Sequence, residues 1–214
     1  MKNQYLKDLY YLSFGKISIF SYYWHRTFPS SRFENAYINI GCGEKYLNGM
    51  INLDGNIFRK KDLWLDVTMG LPFSNASIQG IYASHIIEHF NNRNAKKLMS
   101  ECFRVLKARG VVRLVVPSLE YAINAYVERR LDSFPEWPEK CHSIGGRFNN
   151  FMLCANQHFQ MFDFTFLEEL LKGSGFSEIY REEPCHSSHF KSEHLKFESD
   201  PSIKDYSLFV EAVK

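Results

Sequence analysis

Short apolar runs and amphipathic stretches alternate along this chain. AYINI at 36–40 is a short, mainly apolar run and stops at Gly41-Cys42-Gly43. MINL at 50–53 ends at Asp54-Gly55, residues 63–67 form a third run, and GIYAS at 80–84 a fourth. VVRLVV at 111–116 is the clearest and stops at Pro117. Short β-branched runs bounded by Gly or Pro predict strands of a buried parallel sheet. Between them lie helical patterns. Residues 93–107 place Ala95, Leu98, Met99, Cys102, Val105 and Leu106 on one face. Residues 119–130 follow the fifth run. Residues 163–173 begin at a capping Asp163, carry Leu167, Leu170 and Leu171, and close on Gly173-Ser174-Gly175. Residues 176–181 and 206–213 (YSLFVEAV) read as the last strands. This alternation predicts a doubly wound α/β sheet.

Three stretches fall outside it. Residues 1–34 read as an amphipathic helical arm, either packed on the domain, covering a site, or touching a membrane surface. Residues 131–162 form an insertion, too long for a plain connection. Residues 182–204 are polar, contain His186, His189 and His194, and read as an exposed loop. The organisation expected is therefore an arm at 1–34 and one domain at 35–214, with its insertion at 131–162.

Composition narrows the class. Hydrophobic residues make up 45% and charged residues 23%, ordinary globular values. A net charge of +2 without a basic run disfavours nucleic acid as a partner. Five cysteines, an odd number without a CxxC pair, and no export signal at 1–24 place the chain in a reducing cytoplasm. Lys7, Asp8 and Lys16 interrupt the arm too often for a membrane span. Cys154 and His158, with Cys141-His142 before them, lack a second spaced ligand pair, so no metal is expected.

In such a sheet, ligands bind beyond the carboxyl ends of the strands. Gly41-Cys42-Gly43 follows the first strand, where missing Cβ atoms and free N–H groups let an anionic ligand approach. Asp54 follows the second, placed to take both ribose hydroxyls. Asp66 follows the third, on the side of a base. Together these favour a nucleoside cofactor. The third glycine of a dinucleotide fingerprint is missing after Gly43, and no Gly-rich loop with Lys-Ser/Thr cradles a triphosphate.

INIGCGEKYLNGMINLDGN, DVTMGLPFSNASIQGIYASHIIEHF and ECFRVLKARGVVRLVVPSLEY resemble the class I S-adenosylmethionine-dependent methyltransferases. The likeness is strongest to the small type 11 group often associated with bacterial surface polysaccharides, and it extends over residues 36–214. It implies a three-layer, Rossmann-like α/β fold with a seven-stranded sheet whose last strand is antiparallel. It implies S-adenosylmethionine as cofactor, held by Gly41, Cys42 and Gly43 under the methionine part and by Asp54 at the ribose. Asp66 and Val67 would stand at the adenine, Ser84 and His85 at the methionine moiety. Glu88-His89 matches a characteristic pair after the fourth strand. Only ten residues separate Gly43 from Asp54, fewer than a helical crossover needs. The first crossover must therefore be a loop or a single turn.

The activity implied is methyl transfer to a hydroxyl of a small molecule or glycan. Methyl transfer to N or C of a small metabolite, and a non-catalytic partner-binding subunit, are the alternatives. No acceptor motif separates O from N, and homo-oligomerisation is left open. A hydroxyl acceptor calls for a general base, and histidine suits neutral pH. His158, at the end of the insertion, is the first candidate and His89 the second. His142 and Arg147 are placed to meet an anionic acceptor. Aromatic residues make up 16% of the chain, with ten within 5–33 and eight within 134–166. These two stretches are expected to cover and wall the acceptor pocket.

Overall fold

A computed structural model describes residues 18–28 and 30–214. The rest of the expected arm, residues 1–17 and Pro29, lies outside the described residues. The sheet contains β1 (Tyr37–Ile40), β2 (Ile51–Asp54), β3 (Leu63–Trp64), β4 (Ile78–Ser84), β5 (Leu106–Pro117), β6 (Glu178–Glu182) and β7 (Ser207–Val213). Their spatial order is β3-β2-β1-β4-β5-β7-β6. Strands β1 to β5 pair in parallel, and β7 runs antiparallel to both β5 and β6. This is the expected seven-stranded sheet with its last strand reversed. Among the described residues, no helix is long and apolar enough to cross a membrane.

One face of the sheet is covered by helices. α2 (Asn92–Val105) starts where Asn91 accepts a hydrogen bond from Asn94 N, and its stripe Ala95, Leu98, Met99, Cys102 and Val105 is buried. α5 (Phe164–Lys172) starts where Asp163 accepts from Phe166 N, and it buries Leu167, Leu170 and Leu171. Both belong to one core cluster with Ile38, Ile40, Leu53, Ile81, Val112 and Leu114. α1 (Ser18–Thr27), the described helix of the arm, lies on the segment after β3. Ser18 Oγ accepts from Asp66 N at 3.2 Å, and Arg26 donates to Phe73 O at 2.9 Å. Its Phe20 and Trp24 point outward, 74% and 63% exposed.

The opposite face has no helix between β1 and β2, as the short spacing requires. It is covered by residues 44–50 and by the segment between β6 and β7. Phe190, Leu195 and Ile203 of that segment pack with Leu47, Met50, Tyr82, Val115 and Phe209. The expectation of an exposed loop at 182–204 holds only in part: His186 is exposed and His189 half-buried, but His194 is buried against Tyr37 and Phe190. Arg113 of β5 fastens the segment. It is wholly buried and forks onto Glu198, with Nε–Oε1 and Nη2–Oε2 both at 2.7 Å. Its remaining donors reach Glu211 and the carbonyls of His186 and Glu183, each at 2.9 Å. All five guanidinium N–H groups are thereby used.

The insertion forms a satellite core rather than a loose loop. α3 (Leu119–Val127) and α4 (Ile144–Leu153) pack together. Phe134 and Phe151 are buried with Ala122 and Ala125, against Tyr121, Phe148 and Tyr206. Arg147, expected to meet an acceptor, is instead buried and bonded to Cys141 O, Phe134 O and Glu136.

Candidate active site

The carboxyl ends of β1, β2 and β4 converge on one region. Gly41 and Gly43 leave β1 with φ of +63° and +52°. A Cβ on Gly41 would collide with Ile86 Cδ1, so Gly41 makes room for a side chain of the β4 loop. At Gly43 the same position is open, with nothing closer than Gly41 O at 3.9 Å. The N–H groups of this loop are not free for an anion, contrary to expectation. Cys42 N donates to Leu53 O at 3.0 Å, and Gly43 N to Asp54 Oδ2 at 2.7 Å. The tight β1–β2 crossover folds the loop onto the end of β2. The Cys42 thiol is buried and pushed up to about 12, by burial first and then by the Asp54 carboxylate, so it is not a nucleophile.

Asp54 is 8% exposed, and Asn56 N donates to its Oδ1 at 2.6 Å. Each oxygen keeps a further lone-pair site for a hydroxyl donor. Asp66 caps the 3-10 turn Val67–Met69, its Oδ1 accepting from Thr68 N and Oγ1. Val67 is buried in the core beside it.

β4 ends at Ser84, whose Oγ is buried without a hydrogen-bond partner. His85 then adopts φ +53°, which turns the chain sharply into the 3-10 turn Ile87–His89. The turn brings Glu88 and His89 back beneath the strand end. His85 Nε2 lies 3.0 Å from Ser207 Oγ, and its Nδ1 3.5 Å from Glu88 Oε1. Glu88 is 0% exposed, and neither of its carboxylate oxygens has a hydrogen-bond partner. Burial pushes its carboxyl up, but the imidazoles of His85 and His89 pull further down, and the net direction is below the ordinary carboxylate value.

The fourth member comes from the insertion. After α4 the chain makes three successive left-handed residues, Cys154, Ala155 and Asn156, with φ of +45°, +51° and +61°. Such residues cost about 1–2 kcal/mol each, strain of the kind found where a site over-determines the backbone. The turn is closed by His158 N donating to Leu153 O, and Phe159 N donates to Glu88 O at 2.9 Å. His158 thereby sits edge-on to His89, ring centroids 4.9 Å apart. Its Nδ1 is buried and unpartnered. Burial drives the imidazole down to about 4, against the upward pull of Glu88.

The structure therefore joins His85, His89 and His158, and adds Glu88. Sequence reasoning noted Glu88 only as half of a motif; the available signal was its placement three residues after His85 and beside His89. Cys141 and His142 do not join this group, which consists of Glu88, His89 and His158. A groove of about 370 Å³, bordered by Arg109, Glu178 and Val213, lies at the opposite end of β5.

Residues 49–114 match the family model described as a methyltransferase domain. That stretch holds Asp54, Asp66, Val67, Ser84, His85, Glu88 and His89, but neither the Gly41–Gly43 loop nor His158. No curated protein matches the chain in sequence. In fold it is similar to an S-adenosylmethionine-dependent methyltransferase from Archaeoglobus fulgidus, at TM-score 0.54 and 15% identity over 97% of this chain and 99% of that one. A methyltransferase of the same description from Methanosarcina mazei has TM-score 0.52 and 16% identity, over 85% and 93%. One from Mesorhizobium loti has TM-score 0.50 and 14% identity, over 91% and 98%. Residues 49–114 thus carry a methyltransferase domain, and the strand order with its reversed last strand gives the chain the fold of the S-adenosylmethionine-dependent methyltransferases it is similar to.

Proposed function

We propose that the enzyme methylates a hydroxyl of a small-molecule or glycan-linked acceptor, seated over the Glu88–His89–His158 cluster. The observation that carries this reading is the cluster itself: two imidazoles and a buried carboxylate, directly after Ser84 and His85 at the end of β4. An amine acceptor brings its own nucleophilic lone pair, whereas a hydroxyl must lose a proton, and this cluster is built to receive one.

The residues present fit the cofactor. Gly43 offers open space where a Cβ would stand, and Ser84 offers a buried hydroxyl in need of a partner. Gly41, Cys42 and Gly43 would underlie the methionine part, with Ser84 and His85 at its polar end. Asp54, pre-oriented by the N–H groups of Gly43 and Asn56, would hold the ribose hydroxyls. Asp66 Oδ2, which takes no part in the cap, and Val67 would stand at the adenine. S-adenosylmethionine, when bound, supplies a methyl group already activated by its sulfonium. What the protein adds is alignment of the acceptor, a contribution on the order of 7–11 kcal/mol where fully realised. His158, neutral across the physiological range, accepts the hydroxyl proton. Glu88 stabilises the imidazolium that results, and His89, fixed by Gln157 O at 3.0 Å, completes the wall.

Two variants test the reading. Asp54→Ala is expected to abolish S-adenosylmethionine binding in calorimetry while the circular-dichroism spectrum stays native. His158→Ala is expected to lower turnover on sugar or nucleotide-sugar hydroxyls far more than it lowers cofactor affinity. Unchanged cofactor affinity in the first would remove Asp54 from the ribose site. Equal losses in the second would remove His158 from the reaction.

A further inference from the structure

Glu88 poses a problem that the methyl-transfer reading leaves unsolved. Its carboxylate is completely buried, and apart from His85 Nδ1, 3.5 Å from Oε1, no polar group meets either oxygen at hydrogen-bond distance. Native proteins almost always provide buried carboxylates with donors or with a cation. Beside it, the Nδ1 of His158 is also buried and unpartnered. His89 is oriented from behind. A carbonyl oxygen can only accept, so the contact between His89 Nδ1 and Gln157 O puts the proton on Nδ1 and leaves the Nε2 lone pair bare. A backbone carbonyl holding one imidazole nitrogen while the other faces a ligand is the usual support of a metal-bound histidine.

We propose that Glu88, His89 and His158 form a site for one divalent first-row transition cation, of the zinc or manganese kind. One ligand atom from each lies within 4.8 Å of the others. Ligands at 2.0–2.2 Å from one cation stand at most about 4.4 Å apart, so a small rotation of the side chains closes the set. Two imidazoles and one carboxylate suit such a cation better than magnesium or calcium, which prefer all-oxygen shells. Three protein ligands leave coordination positions open, as in catalytic rather than structural sites.

The role of the cation rests on the hydroxyl-acceptor reading above. The acceptor oxygen would occupy an open position, where the cation lowers the pKa of its proton. His158, once a ligand, no longer serves as base. The proton leaves instead to water at the rim of the site, where the His85 side chain is one-quarter exposed. The acceptor oxygen then forms its bond to the methyl carbon as the carbon–sulfur bond breaks, giving a methyl ether and the neutral thioether. The cation stays divalent throughout, and no electron donor is needed.

The test separates binding from turnover. The full chain, stripped with chelator, is titrated with Mn²⁺ followed by electron paramagnetic resonance, and with Zn²⁺ by calorimetry. One equivalent is expected to bind. Glu88→Gln and His158→Gln are each expected to weaken it by on the order of 100-fold or more, beyond what loss of a supporting group costs. S-adenosylmethionine affinity should hold in both. His158→Gln carries the comparison should Glu88→Gln fail to fold. A wild-type chain that binds neither cation overturns the proposal, as do variants that bind as tightly as wild type. Stoichiometric binding at these residues without methylation of any hydroxyl supports the site and instead removes the acceptor reading.

Discussion

The buried guanidinium of Arg113 offers the sharpest test of how the two faces of the sheet are held. Arg113→Met keeps the length and apolar stem of the side chain but removes five donors. Glu198 and Glu211, 0% and 1% exposed, then face each other without a cation, and the carbonyls of Glu183 and His186 lose their partner. Glu198 retains only the N–H of Cys185, at 2.7 Å. Removing one side of a buried ion pair costs about 3–5 kcal/mol, a large part of the roughly 5–15 kcal/mol that stabilises a domain. At a urea slope of about 2.5 kcal/mol per M, a loss of about 4 kcal/mol lowers the midpoint by roughly 1.5 M. The exposed pair Arg181–Glu120 is the control, both side chains about half exposed. Glu120→Gln should cost under about 1 kcal/mol. Because four of the five acceptor atoms lie between β6 and β7, amides of residues 183–206 should lose hydrogen-exchange protection before those of β4. A midpoint shift no larger than that of Glu120→Gln would refute the clamp.

Two further outcomes follow from single positions. Gly41→Ala meets both a positive φ and Ile86 and should cost roughly 2–4 kcal/mol, whereas Gly43→Ala meets only the φ and should cost about 1–2 kcal/mol; equal urea midpoints would refute the packing argument. In the metal-free protein, His158 at about 4 binds its proton less readily than the unfolded chain at 6.5. Stability therefore rises with pH between those values and is lost as pH falls through them. The full shift is worth roughly 3 kcal/mol, and the partial exposure of the ring reduces it to about 2 kcal/mol. His158→Gln should show that much less destabilisation between pH 7 and pH 4.5 in urea unfolding, and an identical pH profile would count against burial as the cause.

The sheet was readable because strands buried on both faces announce themselves without a partner. Boundaries moved where side chains intervene. Residues 63–67 end as a strand at Trp64, because Asp66 turns inward to cap Val67–Met69. The run at 111–116 begins already at Leu106, since Arg109, at φ +60°, is accommodated in the strand. α4 was missed: Gly145, Gly146 and Asn149 weaken its propensity, and its apolar stripe Ile144, Phe148 and Phe151 finds partners in α3 and Tyr206. The candidate site was legible by strand ends and by its histidines, but not by its centre. Glu88 and His158 are 70 positions apart, and nothing in either neighbourhood signals the left-handed turn at 154–156 that unites them.

The helix-free crossover after β1 has a physical reason that no single segment displays. Strand register places Asn52, Asn39, Tyr82, Arg113, Glu211 and Tyr180 in one cross-strand row, on one face of the sheet. Asn39, Asn52, Arg113 and Glu211 in that row are buried and polar, so whatever covers them must supply hydrogen bonds. A helix spends its interior carbonyls on its own N–H groups, whereas irregular chain has them to offer. Residues 44–50 give Asn39 the carbonyl of Lys45, and Asn52 those of Leu47 and Met50, at 2.9–3.0 Å. The segment between β6 and β7 gives Arg113 two carbonyls and the carboxylate of Glu198. A shortened first crossover, a polar strand face and a long connection before β7 are therefore one adaptation. Replacing any one of them with the apolar, helix-covered arrangement would strand the other two.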